Sequence, residues 1–141
     1  MSFRLRIETP DKTVWNDTCD MISFYTTVGS MGFLTGREPI IAELSITLLK
    51  VWKGNERIEF AVHGGFIRMD GKEALILTDA AERAEEIDLT SAEKAKEKAE
   101  EMLRMAKSEV EKARARAKLE KAMLRIRLAE KRTVNTGIEN R

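Results

Sequence analysis

The aromatic residues, the prolines and nearly all the glycines of this chain stop at one point, and that point divides it. Residues 1–78 hold both tryptophans, the tyrosine, all five phenylalanines, both prolines and seven of the eight glycines, whereas residues 79–132 hold none of these types. A run built from Ala, Glu, Lys, Arg, Leu and Met without helix breakers favours helix. Short apolar runs punctuated by Gly, Pro, Asn and Asp favour strands joined by tight turns. The boundary near Thr78–Asp79 therefore separates two folding units that pack by different rules.

The first unit reads as strands. Phe3, Leu5 and Ile7 alternate with Arg4, Arg6 and Glu8, the period-2 pattern of a half-buried strand, and Pro10 ends it. Met21–Thr26 and Leu48–Trp52 are short runs of strand formers, Gly54–Asn55 supplies a turn, and Ile58, Phe60 and Val62 resume the alternation. Asp70–Gly71, between Phe66–Met69 and Ala74–Leu77, predicts a two-residue hairpin turn with positive φ at both positions. Several short strands at this spacing predict a sandwich or barrel.

The second unit reads as helix from Thr90 to Arg132. Thr90 with Glu93, and again Ser108 with Glu111, have the form of a capping box, in which each side chain satisfies an orphan N–H. A single helix over that whole run would be unusual, so the pattern predicts two helices, 90–106 and 109–132, folded into a hairpin. Ala92, Ala95, Ala99, Met102, Ala106, Val110, Ala113 and Ala117 follow a 3–4 spacing and predict a seam of mostly small residues. Residues 79–111 carry 11 acidic and 6 basic side chains, net −5, and residues 112–132 carry 2 acidic and 9 basic, net +7. An antiparallel pair sets these fields side by side. Exposed ion pairs contribute at most roughly 1 kcal/mol each, so the hairpin is marginal and able to open onto a better partner.

Several function classes are disfavoured. A formal net charge of +1 speaks against a globally basic nucleic-acid binder. The single cysteine, Cys19, has no partner for an internal disulfide, which suggests a reducing compartment. Arg4, Arg6 and Glu8 interrupt any signal peptide, and the longest uncharged stretch, Met21 to Gly36, is too short and polar to span a bilayer. The expectation is a soluble chain that reaches a membrane only through a partner. The glycine-rich stretch Gly29–Gly36 lacks the Lys and Ser/Thr of a phosphate loop and reads as a turn-rich contact loop, with Met31, Phe33 and Leu34 either meeting a partner or covering their own core. His63 has no neighbouring carboxylate in sequence, Cys19 has no adjacent histidine to activate it, and Glu85–Glu86 and Glu100–Glu101 mark solvated helix faces. Without a nucleophile–base pair, metal cluster or cofactor fingerprint, the chain is expected not to be an enzyme. The basic segment is a solvated face or a docking surface for an acidic partner. Nucleic-acid binding is the weaker reading, because no aromatic interleaves the charges. A free adaptor using this helix is the alternative function.

Four motifs in order resemble the ε subunits of F-type ATP synthases. They are Thr9–Pro10–Asp11–Lys12–Thr13–Val14–Trp15, then Gly29–Ser30–Met31–Gly32–Phe33–Leu34–Thr35–Gly36–Arg37–Glu38–Pro39, then Val62–His63–Gly64–Gly65–Phe66, then Ile76–Leu77–Thr78–Asp79–Ala80–Ala81–Glu82, with Ile87–Asp88 opening the helices. The resemblance covers about residues 3–131. It implies an α+β chain: an antiparallel β-sandwich over 1–84, a regulatory antiparallel two-helix hairpin over 85–132, and a flexible tail over 133–141. It implies a non-catalytic rotor subunit of the central stalk, peripheral on the cytoplasmic membrane face (stromal in a plastid). Its partners would be the γ subunit, the c-ring and the α/β catalytic hexamer, with no nucleic acid. The γ and c-ring contacts would fall at Ser30, Met31, Gly32, Phe33, Arg37 and Glu38. The hexamer would be met by Arg114, Arg116, Lys118, Lys121, Arg125 and Arg127 when the hairpin extends to block hydrolysis. Two departures stand out. Gly36–Arg37–Glu38–Pro39 replaces a Gly-His-Ala-Pro-like run. Ser91 stands where nucleotide-binding relatives carry arginine, and Lys121 replaces another arginine, so Glu82, Asp88, Lys121 and Arg125 form at most a degenerate nucleotide site. Lysine offers a point charge where arginine offers a fork, so no cofactor is expected and ATP binding is weak or absent.

Overall fold

Alternation decides the first strand. In β1 (Phe3–Glu8) the side chains of Phe3, Leu5 and Ile7 are buried, and Arg4, Arg6 and Glu8 line the other face. The computed structural model describes residues 2–34 and 39–139, and the side chains as far as Lys131 except Leu34. Seven further strands follow: β2 (Thr13–Cys19), β3 (Met21–Thr26), β4 (Gly29–Leu34), β5 (Ile40–Lys53), β6 (Glu56–Met69), β7 (Glu73–Leu77) and β8 (Ala81–Arg83). Hydrogen bonds order them β2-β1-β7-β6-β5-β3-β4, with β8 on β6.

Two long strands turn this one ladder into two layers. β5 and β6 run 14 residues each and pair from Lys53↔Glu56 to Ile40↔Met69. Midway, Gly64 and Gly65 have φ of 81° and 110°, a conformation open to glycine alone at no cost. Before that bend β6 pairs with β8 through Phe60–Val62; after it, β6 pairs with β7 through Phe66–Met69. The sheet folds at the bend, as in sandwiches whose strands switch layers. One layer is β2-β1-β7-β6-β5 and the other β8-β6-β5-β3-β4. Every pairing is antiparallel except β1 with β7, which runs parallel from Arg4↔Glu73 to Glu8↔Leu77.

The core lies between the layers, where Leu5, Ile7, Ile22, Phe33, Phe60 and Ile76 are fully buried. Phe24 meets Phe33 edge to face at 5.3 Å, and Trp15 meets Phe60 likewise at 5.6 Å. Each such ring burial stabilises by about 1.5–3 kcal/mol. The ladder slips in β3 between Ser23 and Thr26, and there the hydroxyl of buried Thr47 accepts from Tyr25 N at 2.9 Å and donates to Leu48 O. A threonine in the core thus satisfies a backbone donor that the bulge would otherwise strand.

Two expectations about this unit change. Residues 29–34 are a strand paired with β3 along its length, not a loop; the glycines that suggested a loop are tolerated because Gly29 sits at a turn and Gly32 fits beside Ile22 O. The β6–β7 turn is Gly71–Lys72, closed by Asp70 N donating to Glu73 O, and positive φ occurs at Gly71 only. Asp70 instead uses its carboxylate, Oδ1 accepting from Lys72 N and Glu73 N. The turn Gly54–Asn55 forms as expected, with Gly54 at φ 62°.

The chain divides between Arg83 and Ala84 into two compact units. After a 3-10 turn at Ala84–Glu86, α1 (Leu89–Met105) and α2 (Glu109–Glu139) form the antiparallel hairpin. The first cap is Asp88, not Thr90: its side chain accepts from Thr90 N and Ser91 N. Asp88 has extended backbone angles and a carboxylate, the stronger capping group. The second cap falls at Ser108 as expected, Ser108 Oγ accepting from Glu111 N at 3.1 Å, while Glu111 Oε2 accepts from Lys107 N, one residue before the cap. The α2 backbone continues past the expected end at 132 to Glu139, because no proline intervenes.

The seam is half as expected. On α1, Ala92 and Ala99 are buried; on α2, Ala115, Ala122 and Ala129 are, whereas Val110 is 61 % exposed and Ala113 is exposed too. The 3–4 count was carried through Ala106, whose ψ of 133° breaks the helix and resets its phase. The buried alanines recur every seven residues. Ala99 and Ala115 lie equally far from Lys107, as do Ala92 and Ala122, which sets each pair level in an antiparallel hairpin. Five buried methyls at about 0.8 kcal/mol each give about 4 kcal/mol, and Leu124 and Leu128 on α2 are buried as well.

Candidate interaction surfaces

With the core accounted for, the side chains left facing outward define what this molecule can touch. The β3–β4 turn is the first such surface. Thr26 Oγ1 donates to Gly29 O at 2.8 Å and accepts from Val28 N, so a buried threonine fixes a turn that pushes Val28 88 % into solvent. Ser30 and Gly32 are exposed, as is Tyr25 beside them at 60 %. Phe33, expected at a partner contact, is fully buried against Phe24, because alternation along β4 sends every second side chain inward. Met31 is half-buried and packs on the same core. Arg37 and Glu38 lie outside the described residues. Tyr25 and Val28 are additions that sequence reading missed. The signal for Tyr25 was its place between inward Phe24 and Thr26.

The second surface is the basic side of α2. Arg114, Arg116, Lys118 and Arg127 are exposed, while Lys121 and Arg125 are half-buried. Met123, 52 % exposed, shares a helix stripe with Arg116 and Arg127. Met105 and Val110 flank the hairpin turn and are 68 % and 61 % exposed.

The four residues of the degenerate nucleotide site each have local duties. Asp88 is occupied as the α1 cap, and Glu82 on β8 places Oε1 3.9 Å from His63 Nε2. Lys121 and Arg125 lie one turn apart on α2. The Cys19 thiol is buried, which pushes its pKa up to about 12, aided by Asp20 and Asp17, so it stays protonated and inert. Among the described residues no His/Cys/Asp/Glu group of metal-binding form occurs, and no helix is long and apolar enough to cross a membrane.

The third surface is the outer face of the β2-β1-β7-β6-β5 layer. Phe66 and Leu77 stand opposite each other there, 54 % and 52 % exposed, with Ile41 at 71 % nearby. Sequence reading places Phe66 and Leu77 in strands without identifying them as a surface, and assigns Ile41 to no element.

Comparison with known proteins agrees with this architecture unit by unit. Residues 2–84 match the family model of the ATP synthase Delta/Epsilon chain beta-sandwich domain, and residues 85–130 match that of the Delta/Epsilon chain long alpha-helix domain. The chain is 36% identical over 127 residues to the ATP synthase epsilon chain of Desulforamulus reducens, covering 90% of this chain and 96% of that one. It is 35% identical over 129 residues to the chloroplastic ATP synthase epsilon chain of Pyropia yezoensis, covering 92% and 96%. Among solved structures, a chain of the Euglena gracilis mitochondrial ATP synthase is similar with a TM-score of 0.71 at 25% identity, covering 84% of this chain and 76% of that chain. A chain of the Tetrahymena thermophila mitochondrial ATP synthase shares the fold, with a TM-score of 0.65 at 16% identity, over 94% of this chain and 97% of that one. These matches displace the free-adaptor reading. The chain belongs to the epsilon chains of F-type ATP synthases, of the bacterial or chloroplast type, a non-catalytic central-stalk subunit that couples rotation.

Proposed function

We propose that the two units divide the work, residues 1–84 holding the subunit in the rotor and residues 85–132 acting as a brake on ATP hydrolysis. The observation that carries this reading is the contrast in cohesion. The sandwich is closed by a continuous aromatic and aliphatic core, whereas the helical unit buries five alanines with Ile87, Leu124 and Leu128 and carries opposite net charges on its two halves. A part meant to stay put is built one way, and a part able to release is built the other. In this reading the sandwich binds the γ subunit, and its β3–β4 turn, led by Val28 with Ser30 and Gly32, meets the c-ring. The hairpin opens so that Arg114, Arg116, Lys118 and Arg127 dock on acidic surfaces of the α/β hexamer, with Lys121 and Arg125 freed as it does. The subunit then sits peripherally on the cytoplasmic face of the membrane, or the stromal face in a plastid.

Docking of this kind is electrostatic and weakens with salt. Replacing Arg114, Arg116, Lys118 and Arg127 by alanine in the assembled complex raises ATP hydrolysis and removes the salt sensitivity of its inhibition. Inhibition that survives these changes unaltered contradicts the docking. Nucleotide is not the latch in this reading: Ser91 supplies no guanidinium and Asp88 is engaged as a cap. Titration of ATP into the isolated chain gives no low-micromolar binding.

A further inference from the structure

The outer face of the β2-β1-β7-β6-β5 layer carries a feature that the fold does not need. Phe66 and Leu77 face each other across β6 and β7 and close a cleft of about 470 Å³ with Pro10, Gly65, Glu8 and Asp79. Both are half exposed although the same strands bury Ile67 and Ile76 completely. Register extends their row to Glu43 on β5 and Glu8 on β1. The next row on this face is Ile41, Arg68, Leu75 and Arg6. At its cleft end the apolar strip is bounded by the carboxylates of Glu43, Glu8 and Asp79. Of the three arginines on the face, Arg4 donates to Asn16 Oδ1 at 2.8 Å, and Arg6 is engaged by Glu73 at 3.1 Å and by Glu8 at 3.8 Å. Glu8 Oε1 is buried without a hydrogen-bond partner. An acceptor left so costs free energy until a donor arrives.

We infer that this cleft is an anchoring pocket for a central-stalk partner, which inserts an apolar side chain between Phe66 and Leu77 and sets a flanking arginine or lysine against Glu8 and Asp79. The inference rests on the stalk reading above and specifies where the sandwich is gripped. Charge complementarity selects the occupant: the rim offers acceptors, so the segment that fits is basic beside its apolar anchor. An aromatic–aliphatic pair at the centre of an acidic rim has the form of a hot spot, where a few residues carry most of the binding free energy.

The test uses the full chain and the purified γ subunit of the same complex. Phe66→Ser with Leu77→Ser lowers affinity at least about 100-fold, with thermal unfolding unchanged because both side chains are already half in water. Val28→Ser, on the β3–β4 turn, leaves affinity within about threefold. Glu8→Gln with Asp79→Asn weakens binding about tenfold at low salt and flattens its salt dependence, a readout that survives if the serine pair disturbs the fold. Wild-type-like binding by both double variants overturns the inference and leaves the stalk reading standing. A wild-type chain that does not bind γ overturns both.

Discussion

Single residues at the sandwich bend carry the greatest local constraint. A methyl group placed on Gly65 would lie 2.0 Å from Leu77 O, and its φ of 110° is one that L residues rarely adopt. Gly65→Ala therefore destabilises the sandwich by about 3 kcal/mol or more, whereas Gly54→Ala, with open space around it, costs about 1–2 kcal/mol for its φ alone; urea midpoints of the two variants compare them directly. Asp88→Ala costs the hairpin about 1 kcal/mol and Thr90→Ala close to nothing, read as amide exchange in the first turn of α1. Asp70 gives a pH signature. Hydrogen bonds from Glu73 N and Lys72 N hold its carboxyl below the usual 3.8. A depressed folded-state pKa contributes stability above the unfolded value and loses it as pH falls through the folded one. The stability gap between wild type and Asp70→Asn is accordingly full at neutral pH and closes below about pH 4. The same glycines show where sequence reading stops. Gly71 was legible as a turn residue, but whether Asp70 or Lys72 joined it depended on a carboxylate capping two backbone donors, which spacing does not encode.

At the scale of elements, the strands with clear alternation were legible, and so was the hairpin. β1 follows from Phe3, Leu5 and Ile7, and the break at Lys107–Ser108 follows from the Ser108–Glu111 cap. β4 was not, since its glycines mimic a loop and its pairing with β3 is set by tertiary contact. The exposed pair Phe66 and Leu77 was hidden for a related reason: an apolar residue on the outer face of a strand looks, in sequence, like one in the core. The seam of the hairpin was found on α1 and misplaced on α2, because a turn of three residues resets helical phase. That correction is testable. Ala115→Leu or Ala122→Leu overpacks the seam and costs about 1–3 kcal/mol, seen as faster amide exchange across both helices. Ala113→Leu stays within about 0.5 kcal/mol. Equal effects at positions 113 and 115 would restore the seam expected from sequence.

The whole molecule joins a unit closed by an aromatic and aliphatic core to a helical unit that buries alanines and a few larger aliphatic side chains. In the proposed reading the hairpin, whose unit buries five alanines with Ile87, Leu124 and Leu128, exchanges one set of partners for charge-assisted contacts without unfolding. The sandwich, with its shared strands β5 and β6 and its interlayer core, has no such exchange available. In the proposed division coupling and braking are separable, and the most direct measurement separates them. ATP synthase reconstituted with a chain ending at Glu86 is compared with the complex carrying the full chain, in both synthesis and hydrolysis. The account predicts that the shortened chain assembles, supports synthesis, and releases hydrolysis to a several-fold higher rate. Hydrolysis unchanged by removal of residues 87–141 would contradict the brake, and failure of the residues 1–86 complex to couple would contradict the division itself.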